Sequence, residues 1–505
     1  MMKRLFVALM AMVITLGVLP PVVLQAGTDS ASTPCRWIGS GSIIQGDLRV
    51  THGFKLHCSV DQLPNNLQVN WGGNHFHLTQ LTAVVSSDNT AIDPKPPRGG
   101  CDTYHGWGVG KYDGVDGYQA EWIFTDAGEP GRGDWAWIKI TAPNGDTVME
   151  VKGHLKSGNH QVKPLFKLIR TVQITPDATF HVASFPRINY VPATDQFVVT
   201  FGTVVDKQNC LGGAGYAYKG HTLDMQETGK SGYFIFYPDQ CSAGDSGSVM
   251  VDNTYYGAFA VRPPGVPYGW HLAKFDAVTW TLIAETNVLL EAPHEADMDP
   301  TVAYVNGQLD ISDQYNPNGA WQEGSASHHN FYSTDLQPLG KKFLADTALI
   351  SGASMIYADG IYYIITANDY AGDLVVAKYD SDWNYLGVTE LRKQAHWSQG
   401  VAFDGQLFYV SYLDTSQRDP GPFIGHFYPN VHLAAFDRDW NLVDDVAVTN
   451  FTHADHKFPG RPWVIIHNNR LYVSYDMNEL DPDTHQDLLE TQQAFVSICE
   501  LTPYR

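Results

Sequence analysis

The sequence predicts an all-β protein: an N-terminal β-sandwich followed by a six-bladed β-propeller. Three observations carry that prediction. Aromatic residues are 12% of the 505 residues and charged residues only 17%, beside 46 Gly and 28 Pro. This composition suits a turn-rich β chain and excludes disorder, coiled coil and collagen. Residues from about Cys35 to about His160 alternate with period two between Gly, Asn and Pro signals, as half-buried strands do. Beyond about Leu165 a divergent hairpin repeat recurs, the mark of a repeated architecture.

The chain opens on a secretory signal, residues 1–26. Lys3 and Arg4 form its basic start, Leu5 to Leu19 its apolar stretch, and Ala26 a small residue at the cleavage point. The apolar run is too short for a membrane anchor. The mature protein is therefore expected to be secreted, with no membrane span. Cleavage removes Lys3 and Arg4 and no carboxylate, taking the formal charge from −22 to −24. Nucleic acid is excluded as a partner, because tracking phosphates needs a basic patch and no basic run exceeds short pairs.

Residues 27–162 carry the predicted sandwich strands in "LQVNW", "FHLTQL", "AEWIFTD", "WAWIKIT" and "TVMEVKG". "DAGEPGRGD" lies between two of these strands and "GNHQ" closes the region. With "THGFKLHC" and "PNNLQVNW", these motifs resemble an accessory domain that recurs in secreted bacterial proteins. The resemblance implies a β-sandwich and no activity.

Residues 163–505 contain "PTVAYVNGQLDISDQY", "ASMIYADGIYYIITAN", "QGVAFDGQLFYVSYLD" and "PWVIIHNNRLYVSYD". Each reads as strand, tight Asn/Asp-Gly-type turn, strand. "HLAKFDAVTWTLIAET", "VVAKYDSDWNYLGVTEL" and "HLAAFDRDWNLVDDVAV" supply a second hairpin, completing a four-stranded blade. "PRINYVPATDQFVVTF" and "SGSVMVDNTYYGAFAV" extend the register backwards to six blades. Their turns fall near Asp195, Asn253, Gly307, Gly360, Gly405 and Asn469, roughly 45–65 residues apart, at and above the usual blade period. The last blade has no residues left for a fourth strand, and "LFKLIRTVQIT" before the first blade is expected to supply it. Closure of the ring removes exposed sheet edges.

Six Cys lie beyond the signal, where disulfides persist. Cys35, Cys58 and Cys101 fall in the first region, and Cys210, Cys241 and Cys499 in the second. Either one bridge joins the regions or each keeps a free thiol. Cys210 and Cys241 lie on same-face loops of neighbouring blades and are expected to pair. No spacing fits a zinc site.

"CSAGDSGSVM" around Ser246 resembles the Gly-Asp-Ser-Gly motif of trypsin-like serine proteases. That resemblance implies a nucleophilic Ser246 activated by a histidine and an aspartate, with His57 and Asp102 as the available members. The same residues also suit a polar turn leading into an inner blade strand.

In a propeller, turns within each hairpin lie on one face, while connections between hairpins and between blades lie on the other. Here the first set is tight and the second long, as in "DQYNPNGAWQEGSASHH" and "LDTSQRDPGPFIGHFYPN". Long loops on a rigid scaffold are where function sits. Segments leading into the blades place Asp297, Asp299, His396 and His456 at the mouth as candidate acid–base residues. His181, Asp245 and Arg461 join them as ligand-binding candidates, with Glu295, His453, Asp455 and Lys457 nearby. Tyr315, Trp321, Tyr370, Phe423 and Tyr428 lie on adjoining loops, where aromatic faces suit stacking on sugar rings. A polar channel, and aromatics buried under their own loops, are the alternatives. Asp126, Glu129 and Asp134 form an oxygen-rich loop compatible with calcium or with an ordinary acidic turn. His75 and His77 stand on one strand face without a third metal ligand.

Three functions fit these features. The first is a secreted recognition protein binding a glycan or surface polymer through the long-loop face. The second is a propeller glycoside hydrolase or polysaccharide lyase using the mouth residues. The third is a serine protease.

Overall fold

A computed structural model describes residues 36–501, apart from 59, 61–63, 88, 90, 91, 93–101, 129, 164, 176–181, 207–210, 238–245, 260–268, 290–299, 316–325, 345–353, 368–371, 418–427 and 485–486. The signal segment thus lies outside the described residues. Among those residues no helix is long and apolar enough to cross a membrane.

The N-terminal region contains nine strands: β1 (Arg36–Gln45), β2 (Leu48–His57), β3 (Asn66–Trp71), β4 (Asn74–Ser87), β5 (Thr103–Tyr112), β6 (Val115–Thr125), β7 (Trp135–Thr141), β8 (Thr147–His154) and β9 (Ser157–Lys163). The two-sheet division of a sandwich is absent from their hydrogen bonding. All nine join one antiparallel sheet in the order β8-β7-β6-β5-β4-β3-β2-β1-β9. The sheet curls so that β8 returns to β1, where the backbone N–H of Lys152 donates to Gln45 Oε1 at 3.1 Å. Its inner face thereby packs on itself. Period-two alternation is strict along β7, whose Ala136, Ile138 and Ile140 are buried. They join Trp37, Leu56, Phe76, Trp122 and Phe124 in one core.

The motifs at the end of this region meet each other. Asp126 accepts from the backbone N–H groups of Gly128 (2.8 Å) and Val162 (2.9 Å). Asp134 accepts from those of Ala127 (2.9 Å) and His160 (2.6 Å). A Cβ at Gly131 would meet Asn159 Oδ1 at 2.4 Å, and φ there is +75°, so only glycine fits. These interactions tie the acidic loop to β9.

The remaining strands form six four-stranded sheets. Blade one is Ser184–Val191, Gln196–Asp206, Leu211–His221 and Glu227–Tyr237. Blade two is Ser246–Val251, Thr254–Phe259, Gly269–Asp276 and Leu282–Leu289, and blade three is Thr301–Val305, Gln308–Tyr315, Ala326–Tyr332 and Pro338–Leu344. Blade four is Ser354–Ala358, Ile361–Ala367, Leu374–Asp380 and Tyr385–Arg392. Blade five is Ala395–Phe403, Phe408–Asp414, Asn430–Phe436 and Leu442–Ala447. Blade six combines Lys457–His467, Arg470–Leu480 and Asp487–Leu501 with an outer strand from the start of the region, Phe166–Gln173. That strand pairs Phe166 with Leu501 and Gln173 with Phe495, closing the ring as the sequence predicts. The inner strand of each blade packs against that of the next, and blade six against blade one.

Neighbouring blades share hydrophobic clusters, one at each of the six seams. The alternation of a strand explains how. Tyr362 faces the seam with blade three, and the next residue, Tyr363, faces the seam with blade five. The outer hairpin turns carry a second repeat. Thr222, Asp276, Ser333, Asp380 and Asp437 cap these turns with side-chain oxygens. The residue that follows at positive φ is Met225, Trp280, Leu336, Trp383 or Trp440 (53°, 59°, 60°, 66° and 66°). Trp383 stacks on Tyr362 and Trp440 on Phe408, each at 4.4 Å. Such pairs contribute about 0.5–1.5 kcal/mol beyond area burial, which offsets part of the roughly 1–3 kcal/mol that a side chain in the left-handed region costs.

Candidate functional site

The tight hairpin turns lie on one face, and we call the opposite one the broad face. Strands two and four of each blade end on the broad face, and strand three begins there. At the seam between blades four and five this geometry gathers five polar side chains. Arg392 ends the outer strand of blade four. Tyr412 and Asp414 end the second strand of blade five, His432 lies near the start of its third, and Asp445 is on its fourth.

Asp445 is the hub. Its Oδ2 accepts from Arg392 Nε (2.8 Å) and Nη2 (2.6 Å) and from the Tyr412 hydroxyl. Its Oδ1 lies 2.8 Å from His432 Nδ1. The other imidazole nitrogen, Nε2, faces Asp414 Oδ2 at 3.6 Å. Asp414 Oδ1 accepts from the backbone N–H of Ser416 at 2.8 Å. Burial pushes the Asp445 carboxyl up, but the His432 hydrogen bond and the Arg392 charge outweigh it and hold Asp445 below its usual value. Burial, then the neighbouring Asp445 charge, drive the Tyr412 phenol well above its ordinary value. The phenol thus stays protonated and donates. The Arg392 guanidinium is raised on balance: burial opposes its charge, and Asp445 more than compensates.

The result is an oriented imidazole. With Nδ1 donating to Asp445, Nε2 points toward a second carboxylate, and His432 and Asp414 retain 19% and 29% side-chain exposure. This is the arrangement proton transfer requires: a fixed ring, a defined tautomer and an accessible nitrogen.

The predicted mouth residues fare differently. His181, Asp245, Glu295, Asp297, Asp299, Trp321, Tyr370 and Phe423 lie outside the described residues. His396 and Tyr315 are placed in strands, paired with Leu413 and Ala326. Arg461 is brought to the seam of blades six and one. Its Nη1 lies 3.2 Å from Asp476 Oδ2, and its guanidinium sits 4.1 Å over the Phe185 ring. Asp476 also accepts from the Phe185 N–H and Gln492 Nε2. Arg461 thus clamps a seam. His453, His456 and Tyr428 are gathered together, with ring centroids 4.8 Å apart for Tyr428–His453 and 6.1 Å for His453–His456. Tyr428 is only 1% exposed, so it is no open stacking surface. Asp455 caps its own turn through Thr452, and Lys457 pairs with Glu479.

Glu129 lies outside the described residues, and Asp126 and Asp134 bind the backbone groups given above. Among the described residues no group of three His, Cys, Asp or Glu could hold a metal ion.

The protease triad is not assembled. Ser246 begins an inner blade strand, His57 ends β2 of the N-terminal sheet, and Asp102 Oδ1 accepts from Asn89 N–H and the Thr103 hydroxyl. Cys58 is buried and disulfide-bonded, and Cys499 is buried and free. Cys210 and Cys241 lie outside the described residues.

Sequence reasoning missed the Asp445 cluster. The legible signal was "LVDDVAV", two consecutive carboxylates inside a strand, which must face opposite sides and each find partners.

No known family profile and no curated protein matches this sequence. Among solved structures, the chain is similar to a protein of unknown function from Dyadobacter fermentans (TM-score 0.48, 14% identity, 67% of this chain and 100% of that one). It is similar also to an α-L-arabinofuranosidase from Lactobacillus brevis (TM-score 0.35, 13% identity, 51% and 90%). A third is the GH43 endo-arabinanase from Bacillus licheniformis (TM-score 0.32, 10% identity, 51% and 93%).

Proposed function

We propose that this chain is an exported glycan-active hydrolase working at the broad face of its propeller, around His432 and Asp414. The observation that carries this reading is the imidazole held by Asp445 with its other nitrogen directed at Asp414. Cleaving a glycosidic bond requires a proton donor for the leaving oxygen and a base for water. In this reading His432 and Asp414, 3.6 Å apart, act on one side of the sugar: Nε2 takes the proton of the attacking water, Asp414 steadies the imidazolium formed, and a solvent water protonates the leaving oxygen. Water then adds at the anomeric carbon as the bond to the leaving oxygen breaks. Asp445 does not react: it fixes the tautomer and ring plane.

Recognition without turnover is the second reading. It is favoured by the four hydrogen bonds into Asp445, which lock the two blades together as a rigid surface would need. Reducing-sugar release from arabinan, xylan, β-1,4-glucan and β-1,3-glucan separates the two. Turnover by the full chain, lost about 10²-fold or more in His432→Ala and Asp414→Asn with binding retained, supports the hydrolase. Binding with no release supports recognition, and neither one sinks both.

A further inference from the structure

The outer face of the N-terminal sheet carries an aromatic strip that the propeller chemistry does not use. On β5 to β7, one row across the sheet runs His105, Ile123, Trp137. The next row runs Trp107 and Glu121. All of these alternate with core residues, so they stand on the side of the sheet away from the barrel interior. The His105 and Trp107 rings lie 3.7 Å apart, and Trp137 meets His105 edge-on at 6.5 Å.

Polar groups rim the strip. His105 Nε2 lies 2.9 Å from Glu121 Oε1, and Trp137 Nε1 donates to Glu150 Oε1 at 3.0 Å. His105 and Glu121 keep 30% and 34% side-chain exposure. Trp107 and Trp137 are half-buried, though each stands on the outer face where packing into the core is impossible.

We propose that this strip is a second binding site, which holds a neutral polysaccharide against the sheet by stacking. The Trp107 and Trp137 rings, set at different angles on either side of His105, offer apolar area to the C–H faces of successive pyranose rings, and Glu121 and Glu150 offer acceptors to their equatorial hydroxyls. Charge decides between polymers. Around the strip Glu121 and Glu150 are balanced by Lys139, their cross-strand neighbour, and by Lys152, opposite Trp137, so a uronate- or phosphate-rich chain gains no net attraction and the ligand is uncharged. Strands two apart are about 10 Å apart, a span that lets one chain of sugar rings lie across β5 and β7 together. The site does not depend on the hydrolase reading, since it lies on another sheet.

The test is retention of the full chain on insoluble cellulose, xylan and β-1,3-glucan, with tryptophan fluorescence on soluble fragments of each. Retention on at least one is expected, falling about tenfold or more in Trp107→Ala and Trp137→Ala. Trp107→Phe should keep most of it, and matching thermal unfolding separates lost binding from lost folding. Ile44→Ser, at an exposed residue of β1 outside the strip, should bind as the parent does, which ties the loss to the strip. No retention on any of the three, or retention unchanged in both tryptophan variants, overturns the proposal.

Discussion

Asp444 and Asp445 are consecutive residues on the outer strand of blade five, and they serve opposite neighbours. Asp444 Oδ2 accepts from the backbone N–H groups of Leu165 (2.6 Å) and Phe166 (3.3 Å), where the N-terminal region passes into the strand that closes the ring. Asp445 reaches the other way, to Arg392 of blade four. One strand therefore holds the ring closure with one carboxylate and the candidate site with the next. The alternation of strand side chains makes this possible, and a one-residue slip would exchange the two roles.

Removing the hub should cost both stability and function. Asp445→Ala leaves Arg392 and His432 without their carboxylate in a site where Asp445 is only 15% exposed. Breaking such a pair costs about 3–5 kcal/mol when fully buried, and about 3 kcal/mol is expected here. Chemical denaturation measures it. The companion Asp414→Asn should change stability by less than about 1 kcal/mol, because its contact with His432 is long and part-exposed. Equal losses in the two variants would show that Asp445 is no hub.

The two carboxylates should also give stability opposite pH dependence. Burial, the largest influence, raises the Asp444 carboxyl to about 7 despite hydrogen bonds from three backbone N–H groups. Its contribution is fully present below the unfolded value, near 3.9, and is lost as pH rises through about 7. Asp445, held low, contributes stability above its unfolded value and loses it as the pH falls through the lower folded one. Asp444→Asn isolates the first effect. Between pH 5 and pH 8 the parent should lose stability relative to this variant by roughly 3 kcal/mol, at about 1.4 kcal/mol per unit. Parallel pH profiles for the two proteins would sink the assignment.

The architecture was legible because its signals are local. The Asn/Asp-Gly turns specify hairpins, and the missing fourth strand of blade six points to Leu165–Thr175, within which Phe166–Gln173 forms it. In the N-terminal region alternation reveals one buried face and does not say whether that face packs on a second sheet, as in a sandwich, or on its own curl. The candidate site was not legible for a different reason. Arg392 and Asp445 are 53 residues apart and meet only across a seam. Polar and aromatic residues near the blade entries are conspicuous in the sequence, yet Arg461 serves a seam and Tyr428 is buried.

Cysteine chemistry offers a check on the blade register. Cys499 sits on the third strand of blade six, where burial pushes its thiol up to about 12. It should resist thiol reagents in the native protein and react once the protein unfolds. Cys210 and Cys241 are expected to appear as one bridged peptide in non-reducing mapping, closing a loop worth about 3–4 kcal/mol in chain entropy. A native protein whose Cys499 reacts at once would contradict its burial.

The inner ring should tolerate no side chain at Gly247. Its strand leads blade two and lies against the start of blade three. A Cβ there would stand 2.3 Å from the Pro300 carbonyl oxygen and 2.7 Å from Thr301 Cα, both backbone atoms that cannot swing aside. Gly400 is equivalent at the seam of blades five and six, 2.4 Å from the Val464 nitrogen. Glycine here is required by close approach between inner strands, since neither residue has positive φ. Gly247→Ala must therefore push two blades apart, and the adjoining cluster of Tyr256, Leu272, Val302 and Ile311 loses contact as they part. Overpacking of this kind costs typically 1–3 kcal/mol, and the upper end is expected because backbone must move. Gly53→Ala is the control. That glycine lies mid-strand in the N-terminal sheet, and its added Cβ would find nothing nearer than Ser40 Cβ at 3.9 Å. Denaturant unfolding of both variants should show a loss of about 3 kcal/mol for the first and under about 0.5 kcal/mol for the second. If Gly247→Ala unfolds as the parent does, the inner strands are not packed as tightly as this ring requires.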